Sequence, residues 1–343
     1  MSSIDVIVPC YKYGHFLREC VQSVLSETTH KVRVLIIDDA SPDNTAAVAT
    51  ELVKEDARVT FIRHVTNQRH IATYNEGIEW VSSDYMLLLS ADDYLLPGAL
   101  SRAASLLDLH PEVGFVFGKV ILSAESNVKD PTGSHAGRSG ESSDSKIFSG
   151  LEFINLIASR GTVNFVPTPT AVVRTSLQKQ LGGYRQELPH SGDMEMWLRF
   201  AAHASVGQID QYQAVYRQHG ANMQRAYYDT KRCLLDLQQR EAALRFFYNA
   251  WSAKLPNAPR LLRNLLRPVS YEAVGYASEA FNEGDTEFCD QLSRFALNIF
   301  PPVKRSPHWL MFSLKRYMGI GVWRRLQPVV NWIRRKKPPI KTV

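Results

Sequence analysis

Two adjacent carboxylates, Asp92 and Asp93, follow the apolar run Leu87-Leu88-Leu89 across Ser90 and Ala91. A continuous apolar run reads as a strand buried in a parallel sheet. In open α/β sheets, ligands bind just beyond the carboxyl ends of such strands. Paired carboxylates at that place suit a hard divalent cation, because Mg²⁺ is usually held by one or two carboxylates together with substrate phosphates. The competing reading is an acidic turn that caps the next helix, since Pro97 opens a helical pattern.

A second strand pattern, Val32 to Ile37, also ends in two aspartates, Asp38 and Asp39. It leads into Ala40-Ser41-Pro42-Asp43-Asn44-Thr45, which has helix-start chemistry. The first strand pattern, Ile4 to Val8, runs into Pro9-Cys10-Tyr11-Lys12. Three strand ends thus offer polar or aromatic groups early in the chain. Further along, Asp193 opens a segment in which Met194, Trp197, Leu198 and Ala201 fall at helical spacing. A carboxylate there is favoured by the helix dipole, and the plainer reading is an N-cap. His219 follows the strand pattern ending Tyr216-Arg217-Gln218. It suits a metal or phosphate contact, or a structural hydrogen bond.

The elements that would position these groups alternate with short links. Helical patterns cover Phe16 to Ser26, Thr45 to Lys54, Ile71 to Val81 and Pro97 to Leu109, and a further strand covers Val113 to Phe117. That alternation predicts a doubly wound parallel sheet. Residues 122–148, rich in Ser, Gly, Asp and Lys, read as a surface loop over or beside the site. Beyond a helical pattern at 226–250, a Pro-bearing link, Leu255 to Pro268, sets off a helical pair, Tyr271 to Asn282 and Thr286 to Ile299.

At 343 residues the chain can hold one large α/β domain and a smaller part. No stretch approaches 18 consecutive apolar residues and no signal-peptide pattern opens the chain, so the expectation is a cytoplasmic protein. Cys10, Cys20, Cys233 and Cys289 have no metal-ligand spacing and read as reduced thiols. The net charge of +6 is unevenly spread. Residues 301–343 carry eleven Lys and Arg and no Asp or Glu, leaving 29 basic and 34 acidic side chains in residues 1–300, a net of −5. A nucleic-acid partner would want a basic stripe on the folded domain, so none is expected. In the tail, Val322, Leu326, Val329, Val330 and Ile333 share one helical face. Arg324, Arg325, Arg334 and Arg335 flank it, and Trp309, Trp323 and Trp332 suit a headgroup region. This pattern predicts association with an anionic membrane surface.

Five segments in order carry a family resemblance: Ile7-Val8-Pro9-Cys10-Tyr11, Ile36 to Asp43, Thr73-Tyr74-Asn75-Glu76-Gly77-Ile78, Leu89-Ser90-Ala91-Asp92-Asp93, and Gly192 to Arg199. With them the chain resembles a family 2 glycosyltransferase of the GT-A fold. The fold so implied is α/β, a Rossmann-like, mostly parallel sheet flanked by helices, with a helical C-terminal extension. The resemblance suggests a catalytic domain over residues 1–225, a helical extension over 226–300 and a basic amphipathic tail over 301–343.

The resemblance implies an inverting enzyme that moves a sugar from a nucleotide-diphosphate sugar to an acceptor hydroxyl. The expected setting is bacterial surface polysaccharide or lipid-linked glycan assembly, at the inner face of the membrane. Pro9, Tyr11, Asp38, Asp39 and Asn75 would hold the nucleotide, with Asp92 on ribose or the metal shell and His219 reaching the diphosphate. Asp93 would bind Mg²⁺ or Mn²⁺. Asp193 would be the catalytic base, with Glu195 as fallback. The chain departs from the family at Tyr74, where Arg is common, at Gly192, where Glu is usual, and at the first position of the acidic motif, which is Ser90 or Ala91. Other readings are a non-catalytic nucleotide-sugar binder and a Rossmann oxidoreductase. The second needs a glycine-rich turn after the first strand, and Pro9 to Gly14 offers a single glycine.

Overall fold

The computed structural model describes residues 1–124, 145–220, 222 and 233–336, with the side chains of 124 and 327–336 left aside. Strand β1, Ser3–Cys10, is followed by α1, Gly14–Leu25, β2, Lys31–Asp38, α2, Thr45–Glu55, β3, Val59–Arg63, α3, His70–Trp80, and β4, Tyr85–Leu88. These strands pair in parallel in the order β3-β2-β1-β4. The chain continues through β5, Tyr94–Leu95, α4, Ala99–Leu109, β6, Val113–Ala124, β7, Ser145–Phe148, α5, Gly150–Ser159, β8, Val172–Arg174, α6, Thr175–Leu181, α7, Gly192–Ala201, and β9, Ser205–Gln218. The sheet extends from β4 through β8, β6, β9 and β5, with β7 also on β9.

The doubly wound half matches the expected parallel sheet. The other half is mixed: β8 is antiparallel to both β4 and β6, while β6 and β9 run parallel. β1 lies between β2 and β4, where strand order reverses, so a crevice opens at its carboxyl end. Alternation along β1 feeds two cores. Ile4, Val6 and Val8 pack with Leu17, Val21 and Ala103 on one face. Ile7 joins Ile71, Ile78 and Trp197 on the other. That period-two division is what a strand buried on both sides imposes.

The second core continues into α8, Cys233–Trp251, α9, Ala258–Glu283, α10, Thr286–Ile299, and α11, Pro307–Lys336. One expectation is corrected here: Leu255 to Pro268 is not a link, because α9 begins at Ala258 and runs through Pro268. A proline inside a helix costs about 3 kcal/mol. Burial of Leu261, Leu265, Leu266 and Val269 offsets it, at about 1.5–3 kcal/mol for each large apolar side chain. The break at Gly284 stands, with φ of 90°, and Asp285 caps α10 by accepting from the Phe288 N–H at 3.0 Å.

The tail also differs from expectation as far as it is described. Trp323 does not face outward: it is buried on the inner side of α11 within the second core, with the Lys315 ammonium 5.0 Å from its ring. Lys315 in turn donates to the Ser278 carbonyl at 2.7 Å, tying α11 to α9. A break at Gly319, φ 77°, redirects the helix. The exposed apolar face begins earlier than the sequence pattern placed it, at Leu310, Met311, Leu314 and Tyr317, and resumes at Val322 and Leu326. The side chains of Val329, Val330, Trp332, Ile333, Arg334 and Arg335 lie outside the described residues. Among the described residues no helix is long and apolar enough to cross a membrane.

Candidate active site

The crevice at the end of β1 is a cleft of about 730 Å³, within the size range of small-molecule sites. Its floor is Pro9, Cys10 and Tyr11 from the end of β1 and Asp39 from the end of β2. Arg69, His70, Thr73 and Tyr74 form one wall, and Ser90, His219 and Gly220 close the other end. The opening follows from the fold: β1, β2, β4 and β9 end beside it, and the residues that follow them turn into it.

At one end lies Tyr11, 40% exposed. Beside it the Asp39 carboxylate is buried and heavily engaged. Its Oδ1 accepts from the Gln68 N–H at 2.7 Å and lies 2.7 Å from His64 Nδ1; its Oδ2 accepts from the Arg69 N–H at 2.9 Å. His64 reaches the other way to Glu76 at 2.6 Å. Burial pulls the His64 pKa down, and the Asp39 and Glu76 carboxylates overcome it, so the imidazole titrates above its ordinary value. Two carboxylate oxygens have about four acceptor positions, so Asp39 keeps capacity for a ligand N–H or hydroxyl.

Asp38, the other carboxylate of that strand end, faces away. It is fully buried, accepts from the Ser41 N–H at 2.8 Å, and pairs with Arg63 at 3.3 Å. Asn75 is also committed elsewhere. Its amide donates to the Tyr184 carbonyl at 2.9 Å and accepts from the Tyr184 N–H at 2.7 Å. A side chain on Gly183 would collide with this amide, since a Cβ there falls 2.2 Å from Asn75 Oδ1. Both residues thus shape the site without facing the cleft.

At the other end, the chain brings Asp92, Asp93 and His219 together. His219 Nε2 lies 3.1 Å from Asp92 Oδ2, and the ring stacks on Phe16 at 5.5 Å. Asp93 is buried and accepts from the Arg217 N–H at 3.0 Å. Burial, and then the charge of Asp92, push its carboxyl up to about 8. Arg217 was not singled out by sequence reasoning, yet it fixes the acidic turn. Its guanidinium donates to the Asp92 carbonyl at 2.7 Å, pairs with Glu19, and stacks over Phe16 and Tyr94 at 4.7 Å. Its place two residues before His219 was the available signal. Among the described residues no cluster of three or more His, Cys, Asp and Glu forms a ready metal cage.

Asp193 stands behind the Tyr74 wall. It is half-buried in the first turn of α7, and its Oδ2 accepts from the Thr168 hydroxyl at 3.0 Å. Tyr184 hydrogen-bonds it as well. Burial raises the carboxyl pKa, and the Thr168 and Tyr184 hydrogen bonds oppose that rise. Tyr74 packs edge-on to Tyr184 at 5.4 Å and to His70 at 5.5 Å, so one aromatic wall joins Asp193 to the cleft. Gly192 sits against Tyr184: a Cβ there would meet the ring at 3.2 Å, a tight approach that the ring would have to yield to. Glu195, in contrast, is fully buried and bridges Arg199 at 2.7 Å and Arg185 at 3.4 Å. It is held as a structural ion pair within the core.

The model of the family described as Glycosyl transferase family 2 matches residues 5–181. An uncharacterized protein of Mycobacterium tuberculosis is 25% identical over 69% of this chain and 73% of its own length. A Campylobacter jejuni protein named GalNAc(5)-diNAcBac-PP-undecaprenol beta-1,3-glucosyltransferase is 28% identical over 37% of this chain and 41% of its own. The chain thus spans under half of that relative. Staphylococcus aureus TarS, residues 1–349, solved with UDP-GlcNAc, superposes with a TM-score of 0.60 at 15% identity. That likeness covers 96% of this chain and 92% of the other and shows the shared GT-A fold.

Proposed function

The chain belongs to glycosyl transferase family 2, and from that premise we propose that it moves a sugar, with inversion, from a nucleotide-diphosphate sugar to an acceptor hydroxyl. The observation that carries this reading is the placement of Asp193. A carboxylate held by Thr168 and Tyr184, with its pKa raised by burial, stands one aromatic wall from a cleft that has Tyr11 and Asp39 at its nucleoside end. Tyr11 stacks on the base and Asp39 accepts from a ring N–H or ribose hydroxyl. Asp193 takes the acceptor proton as its oxygen forms a bond to sugar C1 and the C1–phosphate oxygen bond breaks. General-base help of this kind is worth roughly 10²–10⁴-fold. Thr168 and Tyr184 hold the carboxylate in place for it. Of the two acidic candidates on α7, Asp193 is favoured over Glu195 because Glu195 is spent on two arginines.

The acidic turn fits a hard divalent cation. Two neighbouring buried carboxylates supply oxygen donors, and burial together with the charge of Asp92 raises the Asp93 pKa, a rise a bound cation would oppose. Asp93 would be the direct ligand, with Asp92 beside it and His219 orienting Asp92. Mg²⁺ or Mn²⁺ bound there would offset charge on the leaving diphosphate.

The UDP-GlcNAc complex of TarS and the activity that names the Campylobacter relative support a nucleotide-sugar donor and a lipid-linked glycan acceptor in bacterial glycan synthesis. The exposed face of Leu310, Met311, Leu314 and Tyr317, in a segment with no acidic residues after Phe300, supports docking on an anionic membrane surface beside such an acceptor. The experiment is NMR of the glycoside formed from the donor that thermal stabilisation selects. Opposite anomeric configuration in donor and product supports inversion, and retained configuration refutes the single displacement.

A further inference from the structure

Two cations line the cleft, Lys12 and Arg69, and both have backbone φ angles in the left-handed range, 64° and 69°. Arg69 is the more extreme. With ψ of 160° it occupies a region that is essentially glycine's alone. Nothing in the backbone calls for an arginine. The turn is held by main-chain groups and by neighbouring side chains. The Arg69 N–H donates to Asp39 Oδ2 at 2.9 Å and to Asn67 Oδ1 at 3.1 Å, and the Gln68 N–H donates to Asp39 Oδ1 at 2.7 Å. A glycine would make the same bond without strain.

The side chain is therefore where the reason for arginine must lie. Arg69 is exposed at the cleft, and among the described residues no carboxylate forms an ion pair with it. Arg63, on the same connection, is by contrast paired with Asp38 at 3.3 Å. One turn along α3, Tyr74 fills its part of the wall with an aromatic ring that packs on His70 and Tyr184 and brings no charge. The cleft already holds Asp39 at one end and Asp92 and Asp93 near the other, so a multiply charged anion entering it needs a cation on this wall.

We propose that the Arg69 guanidinium binds the diphosphate of the donor, supplying from the start of α3 the positive charge that Tyr74 does not. A planar guanidinium offers paired N–H donors that match phosphate oxygens. Its strained backbone is retained because a glycine there would hold the turn and lose the contact. The inference rests on the nucleotide-sugar reading of the cleft.

The test is calorimetry of the full chain and its Arg69→Gly and Arg69→Lys variants. The probes are UDP, GDP and dTDP, each beside its parent nucleoside, with a melting curve for each protein. For the diphosphate that wild type binds, Arg69→Gly weakens affinity about tenfold or more, as loss of a charged hydrogen bond does. Its affinity for the nucleoside stays unchanged and its Tm rises as the strain is released. Arg69→Lys recovers part of the diphosphate affinity. Equal diphosphate affinity in wild type and Arg69→Gly overturns the proposal, as does an equal loss for nucleoside and diphosphate, which would place the contact on the base. Failure of wild type to bind any of the diphosphates overturns the underlying reading as well and is distinguished from both.

Discussion

His219 Nε2 lies 3.1 Å from Asp92 Oδ2, joining positions 127 residues apart across the mouth of one cleft. The contact closes the site. It ties the end of the last long strand, β9, to the acidic turn after β4, and Arg217 fastens the same two segments through the Asp92 carbonyl and the Asp93 carboxylate. The acidic turn is therefore positioned by residues far from it in sequence.

Asp193→Asn should abolish transfer while leaving nucleotide affinity within about twofold, because the base acts on the acceptor side. Asp193 must be ionised to accept a proton, and burial raises its pKa. kcat/KM should therefore fall as pH drops through a value above the ordinary carboxylate figure of about 3.9. Thr168→Val removes a hydrogen bond that lowers this pKa, so the acidic limb of the profile should move to higher pH. A limb unmoved by Thr168→Val would argue that another group sets it.

Glu195→Gln should act on stability and not on chemistry. It leaves Arg199, 3% exposed, without its buried partner. Removing one member of a buried pair typically costs about 3–5 kcal/mol. A large drop in the denaturation midpoint with kcat kept in the folded fraction is the expected result. Normal stability with lost turnover would make Glu195 the base.

Asp39→Ala should weaken donor binding by about 1.5–3 kcal/mol, the range for a hydrogen bond to a charged group. His64 gives this site a pH signature. Its pKa is raised in the folded protein by Asp39 and Glu76 against the effect of burial. Its stabilisation is complete below the unfolded value of about 6.5 and is lost as pH rises through the higher folded value. Stability and donor affinity should decline together over that alkaline window, and His64→Ala should flatten both profiles. Profiles identical in wild type and variant would remove His64 from the donor site.

The parallel half of the sheet was legible because its strands are continuous apolar runs with polar ends, as in Val32 to Asp39. The acidic turn and Asp193 were legible for the same reason: each stands at the boundary of a strongly patterned element. What pattern could not give was direction. Asp38 and Asp39 look alike in sequence, yet one turns to Arg63 and the other to the cleft. Asn75 spends its amide on Tyr184, a partner 109 residues away. Pro268 reads as a helix stop, but burial of the flanking leucines carries α9 through it. Each of these is decided by tertiary contacts that local spacing does not encode.

The full chain should sediment with anionic liposomes at low salt, and a chain ending near Phe300 should not. Each basic residue near such a surface contributes about 1 kcal/mol, so binding should weaken as salt is raised. Leu314→Glu with Tyr317→Glu, two changes on the exposed face, should lower partitioning without altering the fold. Equal partitioning of the full and shortened chains would exclude the tail as the anchor.

Metal-assisted transfer from a nucleotide sugar, with Asp193 as base, leaves nucleoside diphosphate as its product. The most direct measurement is release of nucleoside diphosphate from a panel of UDP-, GDP- and dTDP-sugars by the full chain. It is run with Mg²⁺ or Mn²⁺, with excess EDTA, and with the Asp93→Ala and Asp193→Asn variants. Wild type with the cation should release diphosphate from one donor class, with at most trace release in EDTA or by either variant. Full release in EDTA or by Asp93→Ala would contradict the metal assignment, and full release by Asp193→Asn would contradict the base.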